Sequence, residues 1–559
     1  MAKRIRLRLG ALLGVVMVVT VAQVAFAVPA FAYVPVSGSG STWSFNALDQ
    51  WRKNVRQFGI VINYSATGSS DGRSQFRNGT VDFAVSEIPY GLTDGGVYDK
   101  PPSDVRGFTY MPIVAGGTAF MYNLKIGNSR VTNLRLSGEV LTKIFTGVIT
   151  NWSDPAIKAD NPGLELPARK VVPVVRSDGS GTTAQFTAWM ADQYPAIWDD
   201  YCRRAGRQTP CGLTSNYPSL PGVIAQSGSL GVSGYVAQAQ SEGTITYVEY
   251  SYALNTDFPV AKVLNTAQYY VEPTASSVAV GLLGAEIDTR DPNSDTYLTQ
   301  QLRNVYTARD PRAYPLSSYS YMILPTDTRK SFSNEKGGTL SDFGYYFLCE
   351  GQQQAEALGY SPLPINLVQA GMTQLARVPG TSNKLSPNDV SKCNNPTLSP
   401  DGGNALAKNA PNPSECDKKG VTQCAIGTGG AKQETPTRGG GPANASPGTG
   451  GPGGAGGGGP GGTTAAGQQT STDGGPGGTG PGEAGAIDPD TGLAIAATGG
   501  DASGGDPSGG AFAVPVAVDV ADDGRVIALR VLFGVLLLSV IVGPPIVARY
   551  LRRRRGGAW

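Results

Sequence analysis

The sequence predicts an α/β fold over residues 33–380, followed by a disordered linker and one C-terminal transmembrane helix. Three observations carry this reading. Short β-rich runs alternate with helix-like stretches up to about residue 380, the pattern of layered strands and helices. The 76 glycines and 40 prolines of the 559-residue chain exceed what a wholly globular protein carries, and they are concentrated late. An apolar run fills residues 526–547.

The elements follow in order. Lys3, Arg4, Arg6 and Arg8 precede an apolar stretch over 12–21, and two small-x-small sites follow, Ala25-Phe26-Ala27 and Ala30-Phe31-Ala32. This predicts a signal peptide over 1–32, cleaved before Tyr33. Strands are expected at Val61-Ile62-Asn63-Tyr64, Val81-Asp82-Phe83-Ala84-Val85 and Val171-Val172-Pro173-Val174-Val175. Helices are expected over 44–55 and 182–190, each preceded by Ser, Thr and Gly suited to capping. Residues 381–424 form a polar extension stapled by cysteines. Residues 425–525 are mostly Gly, Pro, Ala, Thr and Ser, and cannot bury a core. Such a flexible linker has an r.m.s. span of roughly 50–60 Å.

The 526–547 run would span about 33 Å as a helix, against a hydrocarbon core of about 30 Å. Arg530 can snorkel at one end, and Pro544 and Pro545 lie near the other. Arg549 and the four arginines of 552–555 follow. By the positive-inside rule, residues 548–559 are a cytoplasmic tail and everything before the helix lies outside. The expected location is the extracellular face of the cell membrane.

Charge and residue usage exclude several function classes. The chain has 45 basic and 43 acidic residues, but four basic residues lie in the signal and five in the tail. The remainder carries 36 basic and 43 acidic residues, a net charge of −7. A broad basic surface for nucleic acid is disfavoured, and any anion site must be local. With no histidine, His-based triads and most catalytic zinc sites are excluded; no cofactor or metal is expected. Six cysteines outside the membrane favour disulfides and allow 15 pairings. Sequence proximity favours Cys202 with Cys211, Cys349 with Cys393, and Cys416 with Cys424.

Four stretches carry chemistry. Ser39-Gly40-Ser41-Thr42-Trp43 leads into a helix, where hydroxyls and free N–H groups form an anion cradle. Ala66-Thr67-Gly68-Ser69-Ser70-Asp71-Gly72 lies between a strand and a helix expected to start near Arg73. Arg176-Ser177-Asp178-Gly179-Ser180-Gly181-Thr182-Thr183 follows a strand and joins a fixed cation to hydroxyls and N–H groups at a helix start. Arg offers paired donors suited to a tetrahedral oxyanion, and Asp178 can hold and partly neutralise it. Thr80-Val81-Asp82-Phe83-Ala84-Val85-Ser86-Glu87 puts a carboxylate at a strand end. A carboxylate beside an anion site makes sense if it accepts a proton from the ligand. Dibasic phosphate carries one and sulfate none, so a buried acceptor pairs with the first and repels the second.

These stretches, in this order, resemble the phosphate-binding proteins (PstS type) of ABC phosphate importers. Lys143-Ile144-Phe145-Thr146-Gly147, Asn151-Trp152, Asn161-Pro162-Gly163 and Tyr247-Val248-Glu249-Tyr250 add to the resemblance. It implies a two-lobed periplasmic-binding-protein-like (type II) fold that closes on ligand. Lobe one would comprise 33–123 and 316–380, and lobe two 124–315. The implied phosphate ligands are Thr42, Trp43, Ser69, Glu87, Arg176, Ser180, Gly181 and Thr182, with Asp178 orienting Arg176. The implied partner is inorganic phosphate, which the protein either hands to an ABC permease for import or reports as a sensor.

Two departures from the family pattern stand out. Glu87 replaces the usual Asp, and the extra methylene shifts the carboxylate by about 1.5 Å or rotates it away. This bears on phosphate-over-sulfate selectivity more than on binding. Trp43 replaces the usual Phe, which is tolerable if only its N–H is used. A phosphatase using Ser180 or Ser69 lacks histidine, metal ligands and an evident base. A surface or adhesion module with altered anion specificity would suit the long linker and the C-terminal anchor.

Overall fold

The computed structural model describes residues 33–381, 390, 393, 395–399 and 403–437. The predicted signal peptide, most of the predicted linker, the 526–547 helix and the cytoplasmic tail lie outside these residues. Among the described residues, no helix is long and apolar enough to cross a membrane.

The first half of the fold is built from Val36–Gly40 (β1), Phe45–Val55 (α1), Ile62–Ser65 (β2), Ser69–Asn78 (α2) and Phe83–Ser86 (β3). Ala47, Leu48, Trp51 and Val55 recur at three- and four-residue spacing, and all four are buried, so α1 is an amphipathic helix with one core-facing stripe. β2 alternates buried Ile62 and Tyr64 with exposed Asn63 and Ser65. α2 starts at Ser69 rather than near Arg73, because Gly68, at φ 103°, turns the chain into the helix four residues earlier. The helix then lies hard against β1: a Cβ on Gly72 would fall 2.4 Å from Gly40 Cα.

Phe108–Tyr122 (β4) is a 15-residue strand buried at every position after Phe108. The second half repeats the strand–helix alternation with Val172–Arg176 (β5), Gly181–Gln193 (α3), Ile224–Gln226 (β6), Gly228–Ala237 (α4) and Thr244–Glu249 (β7). Ser317–Pro325 (β8) returns the chain to the first half.

These strands lie in one sheet, ordered β6-β5-β7-β4-β8-β3-β1-β2. β1 runs parallel to β2 and β3, and β5 runs parallel to β6 and β7. The long antiparallel strands join the two parallel sets: Phe108 to Gly117 of β4 pair with β8, and Thr118 to Tyr122 pair with β7. β4 thus passes from one lobe to the other at Gly116-Gly117-Thr118. Each lobe has its own core. Trp51, Phe83, Met111, Phe343, Phe347 and Leu348 cluster in one, and Phe120, Phe145, Trp152, Phe186, Trp198 and Tyr247 in the other. Each such side chain contributes about 1.5–3 kcal/mol on burial. The chain is therefore a two-lobed α/β protein. Val278, Leu282, Leu302 and Val305 fall within the stretch expected in lobe two, yet share the first core with Tyr319 and Met322 of β8.

The disulfides are Cys202–Cys211, Cys349–Cys393 and Cys416–Cys424, the pairs favoured by sequence proximity. The cysteine-bearing extension crosses both lobes. On lobe one, Asn395 Nδ2 and Thr397 Oγ1 donate to the Leu363 carbonyl at 3.0 and 2.8 Å. On lobe two, Lys262 Nζ lies 2.8 Å from both carboxylate oxygens of Asp417, and Arg135 donates to the carbonyls of Cys416 and Val421 at 2.9 and 2.8 Å. The predicted disordered linker begins at 425, but residues 425–437 continue this packing. Thr428 and Ala431 are 0% and 1% exposed, and Thr428 N–H donates to the Thr132 carbonyl at 3.0 Å. The segment cannot build a core of its own, but its backbone and hydroxyls satisfy polar groups along residues 130–135.

Candidate anion-binding site

Loops at the C-terminal ends of the parallel strands of both lobes converge, the position where α/β sheets hold ligands. Lobe one contributes Ser41 to Ser44 after β1, Ser69 at the start of α2, and Glu87 after β3. Lobe two contributes Arg176 to Thr182, from the last residue of β5 into the first turn of α3, and Gly228-Ser229 at the start of α4.

Glu87 sits at the centre and is 1% exposed. Ser41 Oγ and Ser320 Oγ donate to its Oε1, the latter at 3.0 Å, and Ser69 Oγ donates to Oε2 at 2.7 Å. Ser69 Oγ accepts Gly181 N–H from the other lobe at 3.1 Å. Ser41 Oγ accepts Trp43 N–H at 3.0 Å. The resemblance implies Glu87 as a ligand whose extra methylene could shift its carboxylate or rotate it away. The structure turns it inward, because three buried hydroxyls solvate its carboxylate there.

Arg176 is 3% exposed. Its Nε donates to Asp178 Oδ1 at 2.7 Å, its Nη2 donates to Asp178 Oδ2, and its Nη1 lies 3.4 Å from Ser229 Oγ. Gly228 N–H also donates to Asp178 Oδ1, at 2.9 Å. Burial pushes the Asp178 carboxyl up, but the Arg176 hydrogen bond and charge, helped by the Gly228 N–H, outweigh it and hold the group below the usual carboxylate range. Thr42 Oγ1 lies 2.8 Å from Ser229 Oγ and accepts Ser229 N–H at 3.1 Å. Ser229 Oγ is thus a common neighbour of Thr42 and Arg176 across the cleft.

The remaining predicted residues lie in the same place. Ser180 caps α3, its Oγ accepting Thr183 N–H at 3.2 Å. Thr182 Oγ1 and Trp43 Nε1 are buried without a hydrogen-bond partner among the described residues. More bonds join the lobes around the cluster: Ser70 N–H to the Gly179 carbonyl at 3.1 Å, Ser70 Oγ to Ser215 Oγ at 2.9 Å, and Gln185 Nε2 to the Glu87 carbonyl at 2.7 Å. Tyrosine hydroxyls support the loops from behind. Tyr64 donates to the Ser41 carbonyl at 2.9 Å, Tyr360 to the Trp43 carbonyl at 2.6 Å, and Tyr252 to the Thr42 carbonyl.

Sequence reasoning does not single out Ser229 or Ser320, and it includes Ser41 in the first anion cradle without a ligand role. Gln226-Ser227-Gly228-Ser229 is a further strand-end, Ser-Gly-Ser, helix-start pattern of the kind used to find the other loops, and it could have been found. Ser320 lies mid-strand in β8, where no spacing signal marks it.

Glu249 ends β7 beneath this cluster and is 0% exposed. Its Oε2 accepts Ser251 N–H at 2.8 Å, while Oε1 has no hydrogen-bond partner among the described residues. Burial holds its carboxyl well above the usual range, with the nearby Ser251 and Tyr360 hydroxyls only partly opposing this. A carboxyl whose folded pKa is raised binds more protons folded than unfolded, so its contribution falls as pH rises above the unfolded value. Glu249→Gln is therefore expected to raise the melting temperature at pH 8, with the gap to wild type closing towards pH 4.5. Thermal melts across that range check this.

The fold and the converging donor loops define a two-lobed solute-binding protein of the periplasmic type. The sequence profile of the PBP superfamily domain matches residues 22–350. The phosphate-binding protein PstS of Xylella fastidiosa (strain Temecula1) is 32% identical over 338 residues, covering 60% of this chain and 83% of its own. The phosphate-binding protein PstS 2 of Mycobacterium tuberculosis (strain H37Rv) is 30% identical over 329 residues, covering 58% of this chain and 82% of its own. Among solved structures, a high affinity periplasmic phosphate-binding protein (PfluDING) bound with phosphate covers 65% of this chain and 98% of its own, at 20% identity and a TM-score of 0.46. The chain belongs to the PBP superfamily and, within it, to the PstS family.

Proposed function

We propose that the protein captures inorganic phosphate between its lobes and hands it unchanged to an ABC permease for import. The observation that carries this reading is that buried donors meet across the cleft: Thr42 and Arg176 both meet Ser229, and Ser69 meets Gly181 beside Glu87. Relatives of the chain are named as phosphate-binding proteins. Thr42, Trp43, Ser69, Glu87, Arg176, Ser180, Gly181 and Thr182 are the proposed ligands, with Asp178 steadying Arg176. One guanidinium, partly neutralised by Asp178, leaves a mainly dipolar site, which suits tight but releasable capture. Catalysis is not part of the reading: Ser69 is 1% exposed, and the relatives are named as binding proteins.

The setting completes the proposal. The signal peptide exports residues 33 onward, and the 526–547 helix anchors them to the outer face of the membrane through the late part of the linker. Three disulfides fit an oxidising compartment. The first crossing between the lobes lies at Gly116 to Thr118, a few residues before the expected 123, and the 278–305 segment packs on lobe one.

Calorimetric titration of the protein with phosphate, repeated in excess sulfate, tests the function. One phosphate per chain, with affinity unchanged by sulfate, is expected. Absence of phosphate binding, or equal competition by sulfate, contradicts it. Retained fold without phosphate binding is the result that favours the adhesion-module alternative.

A further inference from the structure

We propose that Glu87 is an internal competitor for the phosphate site: its carboxylate engages the donors that a bound phosphate needs, and so sets the affinity. The inference rests on the phosphate reading above and concerns how that site is tuned. Glu87 Oε2 takes the Ser69 hydroxyl proton at 2.7 Å, and Ser69 Oγ takes Gly181 N–H at 3.1 Å. Glu87 Oε1 takes the protons of Ser41 and Ser320, and Ser41 Oγ takes Trp43 N–H at 3.0 Å. A hydroxyl has one proton to give. While these bonds stand, the Ser69 hydroxyl proton and the N–H groups of Trp43 and Gly181 are directed at the carboxylate and its serines, not at a phosphate oxygen.

The count of acceptor positions sharpens the point. A carboxylate offers about four lone-pair positions. Three hydroxyls face three of them here, the Ser320 hydroxyl sharing its proton between Glu87 Oε1 at 3.0 Å and Ser44 Oγ at 3.1 Å, which leaves one for a proton carried by the ligand. Dibasic phosphate can give its single proton there, but its oxygens must draw the donor groups away from Glu87. The carboxylate also fills the space against lobe two: a Cβ on Gly181 would fall 2.0 Å from Glu87 Oε2. Aspartate at this position draws the carboxylate back by about one bond length, roughly 1.5 Å. That lengthens the bonds to Ser69, Ser41 and Ser320 and frees their donors for the anion.

The test is a calorimetric phosphate titration of the full chain as wild type, Glu87→Asp and Ser320→Ala. Ser320 anchors Glu87 but is not among the proposed ligands. Glu87→Asp is expected to bind phosphate at least about tenfold tighter than wild type, and Ser320→Ala about two- to fivefold tighter. Phosphate binding by wild type with equal or weaker binding by both variants overturns the competitor role and leaves the phosphate reading standing. No phosphate binding by wild type or either variant overturns the phosphate reading and this inference with it. Should Glu87→Asp fail a thermal-melt check of folding, the Ser320→Ala result decides alone.

Discussion

Arg176→Ala is expected to weaken phosphate binding by about 2–4 kcal/mol, roughly 30- to 1000-fold, with the fold retained. Two effects add. The guanidinium is 3% exposed, so its interaction with an anion is little screened by water. Its removal also strips Asp178 of two hydrogen bonds, leaving a carboxylate held only by local backbone donors such as Gly228 N–H beside the incoming anion. Arg176→Lys should recover only part of the loss, because a single ammonium cannot span both Asp178 oxygens while reaching towards Ser229. Calorimetry on each variant, with thermal melts to confirm folding, measures the effect. Unchanged affinity in Arg176→Ala would remove this residue from the site.

Gly181→Ala is expected to cost about 1–3 kcal/mol of lobe closure, weakening phosphate binding roughly five- to 150-fold. A Cβ there would fall 2.0 Å from Glu87 Oε2, 2.6 Å from Ser69 Oγ and 3.0 Å from Glu87 Cβ. All three atoms belong to the opposite lobe. The molecule can relieve the clash by parting the lobes, whose cores are separate, so the penalty falls on closure and not on folding. Small-angle scattering should show a larger radius of gyration for the variant with saturating phosphate, and its melting temperature without phosphate should match wild type. A matching loss of stability without phosphate would place the cost in the fold instead.

Much of this architecture is legible in the sequence, for physical reasons that can be named. The loops after β1 and β5 show themselves because a hydroxyl- or glycine-rich turn between a strand and a helix start leaves backbone N–H groups free to face an anion. Arg176 and Asp178 stand two residues apart in one such turn, so their pairing is local and readable. Ser229 is different: its role depends on the meeting of α4 with the loop after β1, a contact between residues 187 apart. Ser320 is harder still, a polar residue in a buried strand whose partner Glu87 is 233 residues away.

The inward turn of Glu87 could not be read from its neighbours in sequence. Side-chain direction there is decided by Ser41, Ser69 and Ser320, which approach from three separate elements. Residues 425–437 pack on lobe two for a related reason that composition does not show. Composition shows that residues 425–437 lack the apolar mass for a core, but it cannot show that lobe two presents unmet polar groups for them to satisfy. Thr132 hydroxyl donation to the Gln433 carbonyl at 2.6 Å is one such long-range match.

The most direct measurement is a crystal structure of the protein soaked in arsenate, a tetrahedral oxyanion whose anomalous scattering marks its position without ambiguity. A single arsenic peak between the lobes is predicted, with arsenate oxygens within hydrogen-bond distance of Thr42, Arg176 and Thr182. A strong peak elsewhere on the chain, with none between these residues, would contradict the account.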